Sequence, residues 1–191
     1  MDIDIDVKPT LKVKEVFPEV TEASINERGV LKKHNVGYYF QPIPRDSQTG
    51  LSAITYKTAL QHNFFKIDII PLSLLEEFES KEQLRDLMHK QPIWELFENR
   101  KIVEQLFHLY NNFDVVYQIK PKSVMEVADC LAIIRPGKIK LLKSYLKSKN
   151  KDEVRSLLYE KTAPSDLRKS HAIPYAYLII AQLNLITEKL S

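Results

Sequence analysis

The hydrophobic periodicity of this chain changes once, near residue 72, and that change limits what it can fold into. Before it, Ile3, Ile5 and Val7 alternate with Asp2, Asp4 and Asp6, and the runs Val36 to Phe40 and Phe64 to Ile70 are rich in β-branched and aromatic residues. Period two sends alternate side chains to opposite faces of a strand. After it, Leu74, Leu75, Phe78, Leu84, Leu87 and Met88 follow helical spacing, and the helical pattern continues to the end. The expected architecture is α+β, with a small mixed β-sheet over residues 1–72 and a helical region over 73–191.

Within this plan, Leu11 to Phe17 reads as a short strand or a helical turn, and Asn26-Glu27-Arg28-Gly29 as a turn. Ser73 is placed to cap the first helix, and Ile93 to Tyr110 reads as the next. Ser123 and Glu126 stand at capping-box spacing before a helix that Arg135-Pro136-Gly137 stops. Lys138 to Lys149 is basic and amphipathic, Asp152 to Lys161 continues in that style, and Ala176 to Leu190 reads as the last helix.

Hydrophobic residues make up 44% of the 191 and charged residues 28%, enough for a core of ordinary size. The net charge of +3 is uneven: residues 120–191 hold 14 Lys+Arg against 7 Asp+Glu, or +7, leaving 14 against 18, or −4, in the first 119. The C-terminal part is the candidate for meeting a polyanion, and a solvated Lys-rich surface is the plainer reading of the same numbers. Cys130 is the sole cysteine and sits in an apolar run, which excludes an internal disulfide and points to a buried thiol and a reducing cytoplasm. The acidic start is unlike a signal peptide. Pro174, Gln182 and Asn184 interrupt the longest apolar stretch, so no membrane partner is expected. With four glycines there is no phosphate loop, dinucleotide fingerprint or Gly-x-Ser-x-Gly elbow, and the five histidines show no paired metal spacing.

Two groups of residues could carry chemistry. Side chains at i and i+2 on a strand point the same way, so carboxylates among Asp2, Asp4 and Asp6 can converge on a Mg²⁺ ion. Asp68, in Phe65-Lys66-Ile67-Asp68-Ile69-Ile70, lies on a strand of the right kind to add a third. Arg168, Lys169 and His171 gather at what looks like a helix start, where backbone N–H groups favour an anion. Arg135, beside Pro136-Gly137-Lys138, could likewise hold a phosphate. The plainer readings are an acidic terminus, a packing histidine and a cation at a helix C-terminus.

Five segments resemble, in order, motifs of the C-family replicative DNA polymerases, the bacterial DNA polymerase III α subunits. Asp2-Ile3-Asp4-Ile5-Asp6-Val7 resembles their Pro-Asp-x-Asp-x-Asp-Phe, with Met1 in place of proline. Lys33-His34-Asn35-Val36-Gly37 resembles their His-x-x-Gly strand, and Phe65-Lys66-Ile67-Asp68-Ile69-Ile70-Pro71-Leu72 their Leu-Lys-x-Asp-Phe-Leu-Gly-Leu. Phe107-His108-Leu109, followed by Lys120-Pro121-Lys122-Ser123 and Arg135-Pro136-Gly137, is similar to their fingers segment. Lys169-Ser170-His171-Ala172-Ile173-Pro174-Tyr175-Ala176 is similar to Lys-Ser-His-Ala-x-Ala-Tyr-Ala. The resemblance implies a reduced palm and fingers. It makes Asp4, Asp6 and Asp68 the catalytic positions, with Asp2, Asp4, Asp6 and Asp68 as Mg²⁺ ligands. It gives Arg135, Lys138, Arg168, Lys169 and His171 to nucleotide or DNA, with replisome proteins as further partners in the cytoplasm, a phage host's if phage-encoded.

The departures shape the functional expectation. The family's Gly-Ser-rich phosphate-binding segment has no counterpart, the span from Asp6 to His34 is too short for a thumb, and a short Lys-rich stretch replaces the long one between Gly137 and Lys169. Three readings stand: a DNA- or nucleotide-binding relic with reduced or absent catalysis, a minimal Mg²⁺-dependent nucleotidyltransferase, and a partner-binding scaffold.

Overall fold

The computed structural model describes residues 3–163 and 165–190; Asp2 lies outside them. The chain forms two compact units, Met1–Phe78 and Glu79–Ser191. The architecture is α+β, as the change of periodicity implied. The strands are β1 (Ile3–Val7), β2 (Thr21–Glu27), β3 (Val30–Tyr39) and β4 (Ile67–Pro71), in the order β1-β4-β3-β2. β1 and β4 run parallel and the other neighbours antiparallel, so the sheet is mixed.

The Asn26–Gly29 segment makes a two-residue hairpin turn. Arg28 and Gly29 both take positive φ, 53° and 86°, the conformation that matches the twist of paired strands. The Asn26 side chain accepts from the Gly29 N–H at 2.8 Å. Sequence pattern did not announce β2, because small and polar residues, Thr21, Ala23 and Ser24, fill its buried positions. Those polar groups are matched: the Ser24 N–H donates to Ser52 Oγ at 2.9 Å, and Ser24 Oγ donates to the Ser52 carbonyl at 2.7 Å. The loop around Ser52 thereby covers part of an edge strand that would otherwise invite pairing.

Each face of the sheet has its own cover. Val13, in the short helix α1 (Val13–Val16), packs with Val20 and Ile69 on one side, joined by Val7, Tyr38 and Ile67. Ala59, in α2 (Tyr56–Gln61), packs with Ala23, Tyr39 and Ile43 on the other. The segment after β4 is not the start of a long helix. Ser73–Glu77 is a 3-10 turn that stays with the sheet, since Leu74 and Phe78 are buried and Lys8 Nζ donates to the Phe78 carbonyl at 3.1 Å. Helix α3 (Lys81–His89) begins afresh, with Ser80 Oγ accepting from the Gln83 N–H at 3.0 Å.

The helical unit continues with α4 (Arg100–Val103), α5 (Phe113–Ile119), α6 (Val124–Ile133), α7 (Leu142–Lys147), α8 (Lys151–Leu158) and α9 (Lys169–Leu190). Residues 93–110 are not one helix. A 3-10 turn at Trp94–Glu98 gives way to Asn99, whose side chain caps α4 by accepting from the Lys101 N–H at 3.0 Å, and His108 turns left-handed at φ 60°. Ser123 Oγ accepts from the Glu126 N–H at 3.2 Å, and the Glu126 carboxylate reaches back to the Lys122 N–H at 2.8 Å.

Helix α9 starts at Lys169 rather than Ala176. Pro174 lies inside it, close enough to the start that only the bond to the Ser170 carbonyl is lost. Its middle is buried almost all round, from Leu178 to Leu185, and it packs against α3 and α6. Gln182 Nε2 donates to the Gln105 carbonyl at 3.1 Å, and Asn184 Nδ2 donates to the Leu87 and Lys90 carbonyls at 2.9 Å each. Among the described residues, no helix is long and apolar enough to cross a membrane. Cys130 is buried on α6, and burial pushes its thiol well above the usual range.

One buried charge organises α6, α7 and α8. The Asp129 side chain is fully buried, with Arg155 Nε and Nη2 each 2.9 Å from its Oδ2. Tyr145 donates to Oδ2 at 2.7 Å and Tyr159 to Oδ1 at 2.8 Å. Burial, with the Asp129 charge beside them, pushes both phenols above their ordinary range. Unfolded tyrosines ionise near pH 10 while the folded pair stays protonated, so stability falls as pH rises beyond about 10. Asp129→Ala strands Arg155 and should cost the helical unit about 3–5 kcal/mol, measured by urea unfolding. In wild type at pH 11, absorbance at 295 nm should show two tyrosines that ionise only on unfolding.

Candidate functional site

Parallel pairing of β1 with β4 sets Asp4 directly opposite Asp68, with Asp6 opposite Ile70. Register partners in adjacent parallel strands lie roughly 4.8 Å apart with side chains on one face. Asp4, Asp6 and Asp68 thus share a face, while Ile3, Ile5 and Val7 turn to the other. This face is the side that α2 covers further along the sheet.

β3 contributes a bulge. Between the pairs Glu22–Tyr38 and Ser24–Lys33, Ala23 alone of β2 stands against His34, Asn35, Val36 and Gly37 of β3. The extra residues re-aim a side chain, as bulges beside functional sites do. His34 Nδ1 comes within 3.9 Å of Asp68 Oδ1 and accepts from the Val36 N–H at 3.4 Å. At 3.9 Å the approach to Asp68 is a contact rather than a hydrogen bond.

Gly37 sits opposite Asp68 and leaves the space that the cluster needs. A Cβ there would lie 2.8 Å from His34 Nδ1, 2.8 Å from Lys66 Cδ and 3.0 Å from Ala23 Cβ. Through this gap the Lys66 chain, only 7% exposed, runs to Asp68 and pairs with both carboxylate oxygens. Its Nζ also stands 5.6 Å from the centre of the Tyr56 ring. Mg²⁺ needs near-octahedral oxygen ligands at about 2.0–2.1 Å. With both Asp68 oxygens turned to an ammonium, the residues as arranged do not fit a divalent ion. Among the described residues, no group of three or more His, Cys, Asp or Glu could hold a metal. Sequence pattern singled out the aspartates but not Lys66, although the i, i+2 spacing of Lys66 and Asp68 was there to be read.

In the helical unit, motifs far apart in sequence come together. The Phe107 N–H donates to Gln182 Oε1 at 2.7 Å, which fixes the turn where His108 goes left-handed. The Tyr175 ring meets Phe107 at 5.9 Å and His108 at 5.5 Å edge-on. Burial lowers the His108 pKa, and the Arg135 charge lowers it further. Arg135 Nε is buried and makes no hydrogen bond among the described residues. Arg168, just before α9, and His171 on it stand three and four residues apart in line with Tyr175, and both are exposed, as is Lys169.

Lys138 is placed differently. It is 4% exposed, its Nζ donates to the Leu157 and Glu160 carbonyls at 2.8 and 2.6 Å, and it lies 3.6 Å from Asp166. It serves the end of α8. Outward cations are instead Lys140, in a 3-10 turn, and Lys143 and Lys147 of α7, spaced by three and four, exposed and without an ion pair among the described residues. Tyr145, between them in sequence, points inward to Asp129.

Fold and sites together define a mixed-sheet α+β protein with a lysine-paired aspartate on the sheet of one unit and exposed cations in the helical other. No protein-family model matches the chain, and no curated protein matches it.

The His108 environment gives a direct check. His108 should titrate below the ordinary value of about 6.5 by NMR, and Arg135→Gln should raise its pKa part of the way back, since burial remains. Folded His108 resists protonation, so its contribution to stability is lost as pH falls below about 6.5.

Proposed function

We propose that this protein binds nucleic acid through its helical unit, on a reduced palm-and-fingers-like plan, and that binding rather than nucleotidyl transfer is its task. The observation that carries this reading is the stripe Lys140, Lys143 and Lys147, three exposed cations at helical spacing along α7 and the 3-10 turn before it. Lysines without carboxylate partners are free to neutralise phosphates and release the counterions condensed on a nucleic acid. The inward anchoring of Tyr145 holds that face outward. Exposed Arg168 and Lys169, the Arg135 charge felt at His108, and the His108–Tyr175 ring pair add cations and rings of the kind that hold backbone and base. The resemblance to the polymerase fingers supports DNA as the nucleic acid, replisome proteins as neighbours and the cytoplasm as the place.

One observation favours the nucleotidyltransferase reading: the register that sets Asp4 beside Asp68 on parallel strands. The engagement of Asp68 by Lys66 weighs against it, so no reaction step is built on this face.

The test is binding of a labelled primer–template over a salt series. Wild type should bind with steep salt dependence, and replacing Lys140, Lys143 and Lys147 with Ala should flatten the slope of log K against log salt by about 0.9 per lysine. Asp68→Ala should leave binding unchanged. Salt-independent binding, or a triple variant that binds like wild type, would remove the stripe from the account. A chain that binds no nucleic acid would turn attention to a protein partner, with the exposed Phe17 and Phe40 pair, 5.3 Å between ring centres, as the place to look.

A further inference from the structure

The carboxylate face holds its own cation. Asp68 is mostly shielded, its side chain 17% exposed, and a shielded carboxylate needs a positive partner. Two things can provide one: a metal ion or a protein side chain. Here the side chain is Lys66, which reaches the face from the same strand edge, two residues before Asp68, so that both point the same way.

Three independent features seat Lys66. Its Nζ donates to both Asp68 oxygens. Its methylene stem lies in the gap left by Gly37, where any other residue would put a Cβ 2.8 Å from Lys66 Cδ. The face of the Tyr56 ring, at the start of α2, lies 5.6 Å from the ammonium, within the range in which an aromatic quadrupole attracts a cation. A lysine that only happened to lie near an aspartate on a surface would have neither the gap nor the ring, and would stay mostly in water. The side chain of Lys66 is 8% exposed.

We propose that Lys66 is the built-in counter-cation of Asp68, occupying the place on the Asp4–Asp68 face that a divalent ion would need, so that the chain binds Mg²⁺ or Mn²⁺ tightly there only when Lys66 is removed. A lysine ammonium carries one charge and directs hydrogen bonds, whereas a divalent ion requires several oxygens at short range. Bringing that ion to Asp68 while Lys66 stays would set two cations on one carboxylate. Asp68 therefore has its counter-charge without metal. This inference is independent of nucleic-acid binding, which is read at other residues in the other unit.

The experiment titrates Mn²⁺ into the full chain and follows the free-ion EPR signal, for wild type, Lys66→Met and Lys66→Met with Asp68→Asn. The single variant should bind Mn²⁺ at least tenfold more tightly than wild type, and the double variant should lose that gain. Thermal unfolding should agree: Mn²⁺ raises the Tm of Lys66→Met and leaves wild type unmoved, because a ligand stabilises only the state it binds. Wild type that binds Mn²⁺ as tightly as Lys66→Met, or a Lys66→Met protein that gains nothing, overturns the proposal. A second measurement needs no variant to fold. In ¹⁵N-lysine-labelled wild type, the shielded Lys66 ammonium should give a slowly exchanging NMR signal that Mg²⁺ leaves in place. Loss or displacement of that signal on adding Mg²⁺ would show the metal evicting the lysine, and the proposal would fall.

Discussion

A carboxylate with no access to water has to be answered on all sides, and Asp129 is the group that the helical unit is arranged to answer. Arg155 supplies the charge from α8, while Tyr145 of α7 and Tyr159, just past α8, supply hydroxyls. Because these donors come from segments that follow α6 in the chain, satisfying the acid pulls α7 and α8 back onto α6. The burial of Ala132, Ile133, Val154 and Leu158 follows from that closure. So does the direction of the basic stripe: with Tyr145 fixed inward, Lys140, Lys143 and Lys147 face away. The basic stripe on the surface is thus positioned by an anion inside.

The β unit solves a comparable problem at smaller scale. Parallel pairing of β1 with β4 brings Asp4 and Asp68 side by side, which in isolation is repulsive. The bulge in β3 and the missing side chain at Gly37 let Lys66 and His34 come to the same place. A strand irregularity, a glycine and a lysine therefore form one device, and none of the three has an evident purpose without the others.

Much of this was legible in the sequence where the signal is local. Alternation marked β1, Asn26 to Gly29 marked the hairpin turn, and Ser123 with Glu126 marked the start of α6. What escaped depended on contacts distant in sequence. β2 hid because Ala23 and Ser24 are buried through a partner loop rather than through apolar character. The break at Phe78 hid because helical spacing runs through it, while the bond from Lys8 that ends the turn lies 70 positions away. Lys138 resembled its basic neighbours, and only the fold shows it turned to the end of α8. Asp129 read as one polar residue in an apolar run, and nothing nearby announced three donors arriving from residues 145 to 159. For the candidate site, pattern located the aspartates, but the cation that answers Asp68 became visible only with Gly37 opposite it.

The single cysteine lends the helical unit an internal clock. Cys130 sits beside Asp129 on α6, fully enclosed, with a thiol that burial keeps protonated. Alkylating reagents attack thiolates exposed to solvent, so modification must wait for the surrounding helices to part. The rate at which Cys130 becomes labelled therefore reports how often the core it shares with Leu106, Ala176 and Ile179 opens, with no engineered probe. Because the chain has no other thiol, a cysteine placed on the outer face of α7 would react far faster, and its labelling could be followed separately in the same molecule.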